Sequence, residues 1–130
     1  MDERYCSGIS ELDTQHEQIE EAVASLLDAM ESKASADLLQ SALVRLDELL
    51  RFHFAVEDSV MEILSYPFVL EHRFAHREIL QHIGDLKDVL RQRGAIDDSS
   101  GSVHKLAFDI ARHDRVFAGF VKTHGESLRH

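Results

Sequence analysis

The chain of 130 residues contains one cysteine, one proline, six glycines and no tryptophan. A single cysteine excludes an intrachain disulfide and favours a reducing compartment, so we expect the cytoplasm. No apolar run approaches the roughly 18 residues that a membrane span needs. The first residues also lack the basic start and apolar stretch of a signal peptide. The sequence therefore predicts a protein that does not enter a membrane.

Basic residues are scarce, with 14 Lys and Arg against 24 Asp and Glu and a formal net charge of -10. Such a balance repels nucleic acid and anionic membrane surfaces, so neither is an expected partner. The length fits a single domain over residues 1–130, large enough to form a core without disulfides. A domain excised from a longer sensor protein would have the same composition.

Apolar residues recur at helical spacing in four stretches, and strand-like alternation is absent. Ser35 is placed to cap the second helix, and Pro67 suits the first turn of the third. Gly94 can end that helix and Ser102 can cap the fourth. The fold class predicted is all-α, an up-down-up-down antiparallel four-helix bundle. The stretches run from Ile9 to Met30, Leu38 to Met61, Phe68 to Leu90 and Leu106 to Val121.

Histidines and a carboxylate occur at the spacing of one helical turn. HFAVE places His53 four residues before Glu57, HRFAH places His72 four residues before His76, and His16 follows the acidic DTQ. Residues four apart project from one face of a helix. Imidazole and carboxylate suit iron, zinc, copper or manganese better than calcium or magnesium. This pattern predicts a metal site inside the bundle.

The antiparallel arrangement predicts which ligands share a level. Residues equally far from a shared loop lie at the same height, and His16 and His53 are about 16 and 17 residues from the first loop. Glu57 and His76 are about 7 and 8 residues from the second turn. On the fourth helix the partner should lie about 10 to 17 residues in, which selects His113. The histidines are therefore expected to converge on one layer.

Taken in order, these motifs resemble the hemerythrin family, specifically bacterial hemerythrins and hemerythrin-like sensor domains. The resemblance extends through YCSGISELDTQH, HFAVEDSVM, the YP turn and HRFAH to His113, nearly the whole chain. It implies two non-haem iron ions, bridged by an oxygen species and two carboxylates. The ligands that it implies are five histidines and one bridging glutamate: His16, His53, His72, His76, His113 and Glu57.

The second bridging carboxylate of the family is missing. The family has an aspartate five residues after the helix-four histidine, and this chain has Ala118 there. Pairing His104 with Asp109 would restore the family spacing. That alternative places His104 in the first turn of the helix, far from the level of the other ligands, so we prefer His113.

Three acids replace apolar residues that surround the oxygen-binding position in the family. They are Glu20, Asp109 and Asp114. Burying an unpaired carboxylate costs about several kcal/mol, so these acids should pair, bind metal or contact water. Glu20 is the first candidate for a substitute ligand because it stands one turn from His16, and the two aspartates follow. The predicted pocket comprises Glu20, Asp109, Ile110, Asp114 and Ala118.

The resemblance implies dioxygen chemistry at the iron pair. A reversible carrier needs a coordinatively saturated site in a dry pocket, whereas this sequence lacks one bridge and adds acids. We therefore expect an oxygen or redox sensor that takes up dioxygen or small anions, oxidises readily and signals through a fused or separate output domain. The alternatives are a reversible oxygen carrier and a di-iron peroxidase or oxidase. Of these classes, a sensing domain is preferred to an enzyme, although a fused output domain could be catalytic.

Overall fold

Four antiparallel helices form the part of the chain that the computed structural model describes, which is residues 10–96 and 101–128. Consecutive helices pack against each other, and α1 also contacts α4, which closes the bundle. No strand occurs in the described ranges, so the predicted all-α four-helix bundle is confirmed. Ile9, Cys6 and the first residues of YCSGISELDTQH lie outside those ranges. The helices are α1 (Ser10–Glu31), α2 (Ala36–Leu64), α3 (Val69–Arg93) and α4 (Ser102–Leu128).

Two of the predicted helix boundaries are confirmed. Ser35 is the N-cap of α2, and its Oγ accepts a hydrogen bond of 3.3 Å from the Leu38 backbone N–H. Gly94 ends α3 in the left-handed conformation at φ 73°, where its N–H donates to the Leu90 carbonyl at 2.8 Å. Glycine adopts this conformation without the steric cost that a Cβ imposes.

The starts of α3 and α4 differ in detail from the prediction. Pro67 precedes α3 instead of lying in its first turn, because the chain reverses from the left-handed Ser65 at φ 54° and the helix begins at Val69. Ser102 is the first residue of α4, and its Oγ lies 2.8 Å from His82 Nε2. That hydrogen bond joins α3 to α4 near the start of α4.

The buried apolar side chains form two clusters with a polar layer between them. On α1, Ile19 belongs to the larger cluster and Leu12 to the smaller one, with His16 between them. On α4, Ile110 and Phe117 take the same two places. The polar layer therefore crosses the bundle, away from either end. The smaller cluster consists of Leu12, Met61, Tyr66, Phe117 and Val121.

Some apolar residues that mark the helices face outward. Leu70 and Phe74 of α3 are 73% and 55% exposed, since the inward face of that helix is taken by His72 and His76. Within the described ranges, none of the helices is both long and apolar enough to cross a membrane.

Candidate metal centre

The structure brings the six residues predicted as ligands together in the polar layer. With Asp114 they form two groups, in each of which one donor atom per residue lies within 4.8 Å of the others. We call the first the three-histidine cluster, consisting of Glu57, His72, His76 and His113. The second is the two-histidine cluster, consisting of His16, His53 and Asp114. All seven are buried except His113, which is half-buried.

Glu57 lies between the two clusters and has no exposed surface. Its Oε2 is 3.0 Å from His72 Nε2, and its Oε1 is 2.9 Å from His53 Nε2. Burial alone would raise the pKa of this carboxyl, but the imidazoles of His53, His72 and His76 around it outweigh burial and hold the pKa well below its usual range. One carboxylate therefore faces donor atoms from both clusters.

Aromatic rings pack against the three-histidine cluster. The centroids of His72 and His113 are 3.6 Å apart, and Phe54 stacks on His76 at 3.7 Å with the planes 13° apart. Burial and the neighbouring His72 lower the pKa of His113 to about 3. His113 is therefore a neutral imidazole, the form that binds metal. The surrounding rings are Phe54, Tyr66 and Phe117.

Asp114 provides the carboxylate of the two-histidine cluster. Its Oδ1 lies 3.2 Å from His53 Nε2 and 3.5 Å from His16 Nε2. Burial alone would raise the pKa of Asp114, but hydrogen bonds to the two histidines lower it. Burial alone would lower the pKa of His53, yet its bonds to Asp114 and Glu57 raise it to about 9. The cluster is held together by opposite charges.

Gln15 is a site residue that the sequence prediction missed. Its side chain is buried, and Oε1 accepts a hydrogen bond of 2.8 Å from His53 Nδ1. This bond places the proton on Nδ1 and leaves Nε2 of His53 facing the carboxylates, as metal-binding histidines require. The signal for Gln15 was its spacing, since it lies three residues after Leu12 and four before Ile19 on the buried face of α1.

The three acids of the predicted pocket point in different directions. Glu20 is exposed and lies on a cavity of about 420 Å³ between α1 and α4, which also contacts His16, Ile110 and Asp114. Asp109 lies on the opposite flank of α4, where Lys105 Nζ donates to it at 2.8 Å. Of the three acids, Asp114 alone belongs to a donor cluster within the described residues.

Glu20, which we expected to be the first substitute ligand, is exposed and belongs to neither donor cluster among the described residues, so its role as a ligand stays a prediction. His16 lies at the edge of the buried stripe of α1, with Ile19 at 2% exposure on its inner side. Four residues further along the helix is a rotation of about 40°, which turns Glu20 outward. Ala118 is buried at 1% exposure, and His104 is exposed in the first turn of α4.

The donor atoms fit a metal ion. Within the described part of the chain, Glu57 Oε1, His76 Nε2 and His113 Nε2 are buried and lack hydrogen-bond partners. The close approach of Glu57 Oε1 to His53 lacks hydrogen-bond alignment. Buried polar atoms normally have partners, and a cation would supply one. Ligand atoms that share an ion at about 2.1 Å lie about 3.0 to 3.4 Å apart, close to the spacings around Glu57 and Asp114.

Comparisons with known proteins agree with this geometry. The family described as Hemerythrin HHE cation binding domain matches residues 7–116. Proteins named bacteriohemerythrin from Pseudomonas aeruginosa strain LESB58 and Pseudomonas paraeruginosa are 29% identical over 126 residues, covering 95% of this chain and 77% of theirs. No solved structure gives a significant match. The chain belongs to the hemerythrin HHE cation-binding family.

Proposed function

We propose that this chain is a non-haem di-iron domain that reacts with dioxygen and acts as an oxygen or redox sensor. The observation that carries the proposal is the pair of donor clusters that meet at Glu57. Each cluster would hold one iron ion, and when bound the two ferrous ions supply two electrons to dioxygen. The proposed ligands are His16, His53, Glu57, His72, His76 and His113.

The surrounding residues support distinct roles at the two ends of the site. Gln15 orients His53 through Nδ1, and Phe54 covers His76 against water. The cavity between α1 and α4 reaches His16 and Asp114, so dioxygen and small anions can approach the two-histidine cluster. An open approach favours ligand exchange and ready oxidation over stable carriage, since a carrier needs a dry, saturated site.

Sensing requires a recipient for the signal, and we propose a fused or separate output domain. Ligand exchange at the two-histidine cluster would act on α1 and α4, which supply His16 and Asp114. Both helices also contribute side chains to the larger apolar cluster. The proposed setting is the cytoplasm, which the single cysteine favours.

Anaerobic reconstitution with ferrous iron, followed by rapid mixing with oxygenated buffer, tests the proposal. We expect two iron ions per chain and a single rapid oxidation, after which the absorbance stays constant until a reductant is added. An oxygenated spectrum that persists for hours would identify a carrier instead. A chain that retains zinc and rejects iron would contradict the di-iron proposal.

A second candidate function is favoured by the groove between α3 and α4. This groove has a volume of about 930 Å³ and reaches His72 and His113. Its size is within the range of about 300 to 1,000 Å³ that small-molecule sites occupy. It would admit the substrate of a di-iron oxidase or peroxidase. Sustained consumption of peroxide or of an added phenol, beyond one equivalent per site, would support that enzyme over the sensor.

A further inference from the structure

We propose that Asp114 is a ligand of the metal ion in the two-histidine cluster, where it replaces the helix-four carboxylate that Ala118 lacks. The inference rests on the metal binding proposed above. It assigns Glu57 as the one carboxylate among the described residues that joins the two metal positions. Asp114 serves one position only.

The helical geometry of α4 divides its two adjacent site residues between the clusters. Consecutive residues are rotated by about 100°, so side chains at 113 and 114 diverge. The ring of His113 packs on His72 of α3 at 3.6 Å between centroids. Asp114 points instead toward His16 of α1 and His53 of α2. One turn of α4 thus supplies one donor to each cluster.

The contacts of Asp114 are those of a ligand more than of an orienting residue. A residue that orients a metal-bound histidine contacts the ring nitrogen that faces away from the metal. For His53 that nitrogen is Nδ1, and Gln15 already occupies it at 2.8 Å. Asp114 instead approaches Nε2 at 3.2 Å, the nitrogen that Glu57 Oε1 also approaches at 2.9 Å. Asp114 therefore lies on the side where the donor atoms converge.

The burial of Asp114 also supports a role as ligand once the histidines of its cluster are neutral. The residue is 5% exposed, and its ion-pair partners in the described ranges are the histidines of its own cluster. When those histidines are neutral and bind metal, the carboxylate needs another positive charge, because a buried unpaired charge is costly. A metal ion between His16, His53 and Asp114 would supply it.

Ala118 stands where the family has its helix-four carboxylate, so a carboxylate ligand from α4 has to come from another position, and Asp114 can provide it. The side chain of Ala118 is 1% exposed and has no donor atom, and it lies one turn after Asp114 on the same helix. Moving the carboxylate by four residues shifts it by about 6 Å along the axis. At position 114 the carboxylate approaches His16 and His53 and belongs to their cluster alone among the described residues.

Asp114→Asn and Asp114→Ala test the assignment, with helicity checked by circular dichroism. Asparagine keeps the shape but removes the charged donor. We expect both variants to keep the iron of the three-histidine cluster and to bind the second iron at least about tenfold more weakly, since even loss of an outer partner costs about 10- to 100-fold. Iron content after a chelator challenge and the Mössbauer spectrum of ⁵⁷Fe-loaded protein measure this.

Two further variants complete the experiment. Asp109→Asn is the matched control, because that carboxylate pairs with Lys105 outside the clusters, and it should keep both irons and the original spectrum. The double variant Asp114→Ala with Ala118→Asp should recover the second iron, which a purely structural role of Asp114 would not predict. If Asp114→Asn and Asp114→Ala both keep two irons and an unchanged spectrum, the assignment of Asp114 as a ligand is wrong and the proposed function still stands. Fewer than two irons in the unmodified chain would overturn the proposed function and this inference with it.

Discussion

The two donor clusters differ in how they are enclosed, although they share one layer and meet at Glu57. The three-histidine cluster lies against the rings of Phe54, Tyr66 and Phe117. The two-histidine cluster borders the cavity between α1 and α4. The groove between α3 and α4 also reaches His72 and His113, so a cavity borders each cluster and the difference lies in ring packing. Packing holds the rotamers of site residues in place, so the comparison indicates that the three-histidine cluster is the more rigidly held half of the site.

The two clusters also differ in the pKa values of their histidines. Burial and the neighbouring His72 lower the pKa of His113 to about 3. In the other cluster, Asp114 and Glu57 overcome burial and raise the pKa of His53 to about 9. The difference follows from direct contact with carboxylates, since Glu57 and Asp114 act on both histidines but contact only His53. His53 contacts two, and His113 forms no ion pair among the described contacts.

Glu57→Gln should weaken metal binding at both clusters, and we expect it to cause the largest loss of iron among these variants. Glu57 faces donor atoms of both, so its loss removes a charged ligand from each metal position at once. We expect less than one iron per chain after dialysis, with helicity retained because glutamine keeps the shape. Metal analysis alongside circular dichroism measures this. Retention of one tightly held iron would show that Glu57 serves a single position.

His16→Ala and His113→Ala should separate the clusters. Each removes one imidazole from one group, so each variant should retain the iron of the other group. The His16 variant keeps all four donors of the three-histidine cluster, and we expect its remaining iron to resist chelator longer. Mössbauer spectra of the two variants should differ from each other, because each variant retains an iron with a different donor set. Identical spectra would refute the division into two clusters.

The helices and most of the donor set follow from local patterns. Apolar spacing predicts each helix, and Ser35 and Gly94 predict two boundaries because capping depends on neighbouring residues. The spacing of His53 from Glu57, and of His72 from His76, fixes a shared face without knowledge of the fold. Loop-to-ligand distances then predict the common level. The structure places these residues at that level.

The choice among the three acids required the rotation of each helix. On α4 the buried stripe includes Ile110 and Val121, and Asp114 is rotated by about 40° from Ile110, well within that stripe. Asp109 is rotated by about 100° and leaves it. The sequence prediction instead counted whole helical turns from His16 and from Ala118. That count cannot show whether a residue faces the core, because the starting residue can itself lie at the edge of the buried stripe. The orientation depends on packing against neighbouring helices.

Gln15→Leu should weaken the two-histidine cluster without removing a ligand. Leucine fills a similar volume but leaves His53 Nδ1 without its acceptor, so the ring can turn or change tautomer. We expect the second iron to bind about 10- to 100-fold more weakly, with the first unaffected. Equilibrium competition with a coloured chelator measures both affinities. A Gln15→Glu variant, which keeps the acceptor, should remain close to the parent.

Glu20→Ala should have the smallest effect on metal binding. It tests whether the two-histidine cluster includes a donor beyond His16, His53 and Asp114. Glu20 is exposed on the cavity that leads to His16, so its removal should leave the iron content unchanged and stability within about 0.5 kcal/mol. Removing one negative charge from the cavity should let the anion azide bind about twofold more tightly, which is the effect of a unit charge roughly 10 Å away in water, and added salt should remove the gain. Glu21→Ala, an exposed neighbour that does not line the cavity, is the matched control. Loss of iron from the first variant and not the second would make Glu20 a ligand and extend the cluster beyond Asp114.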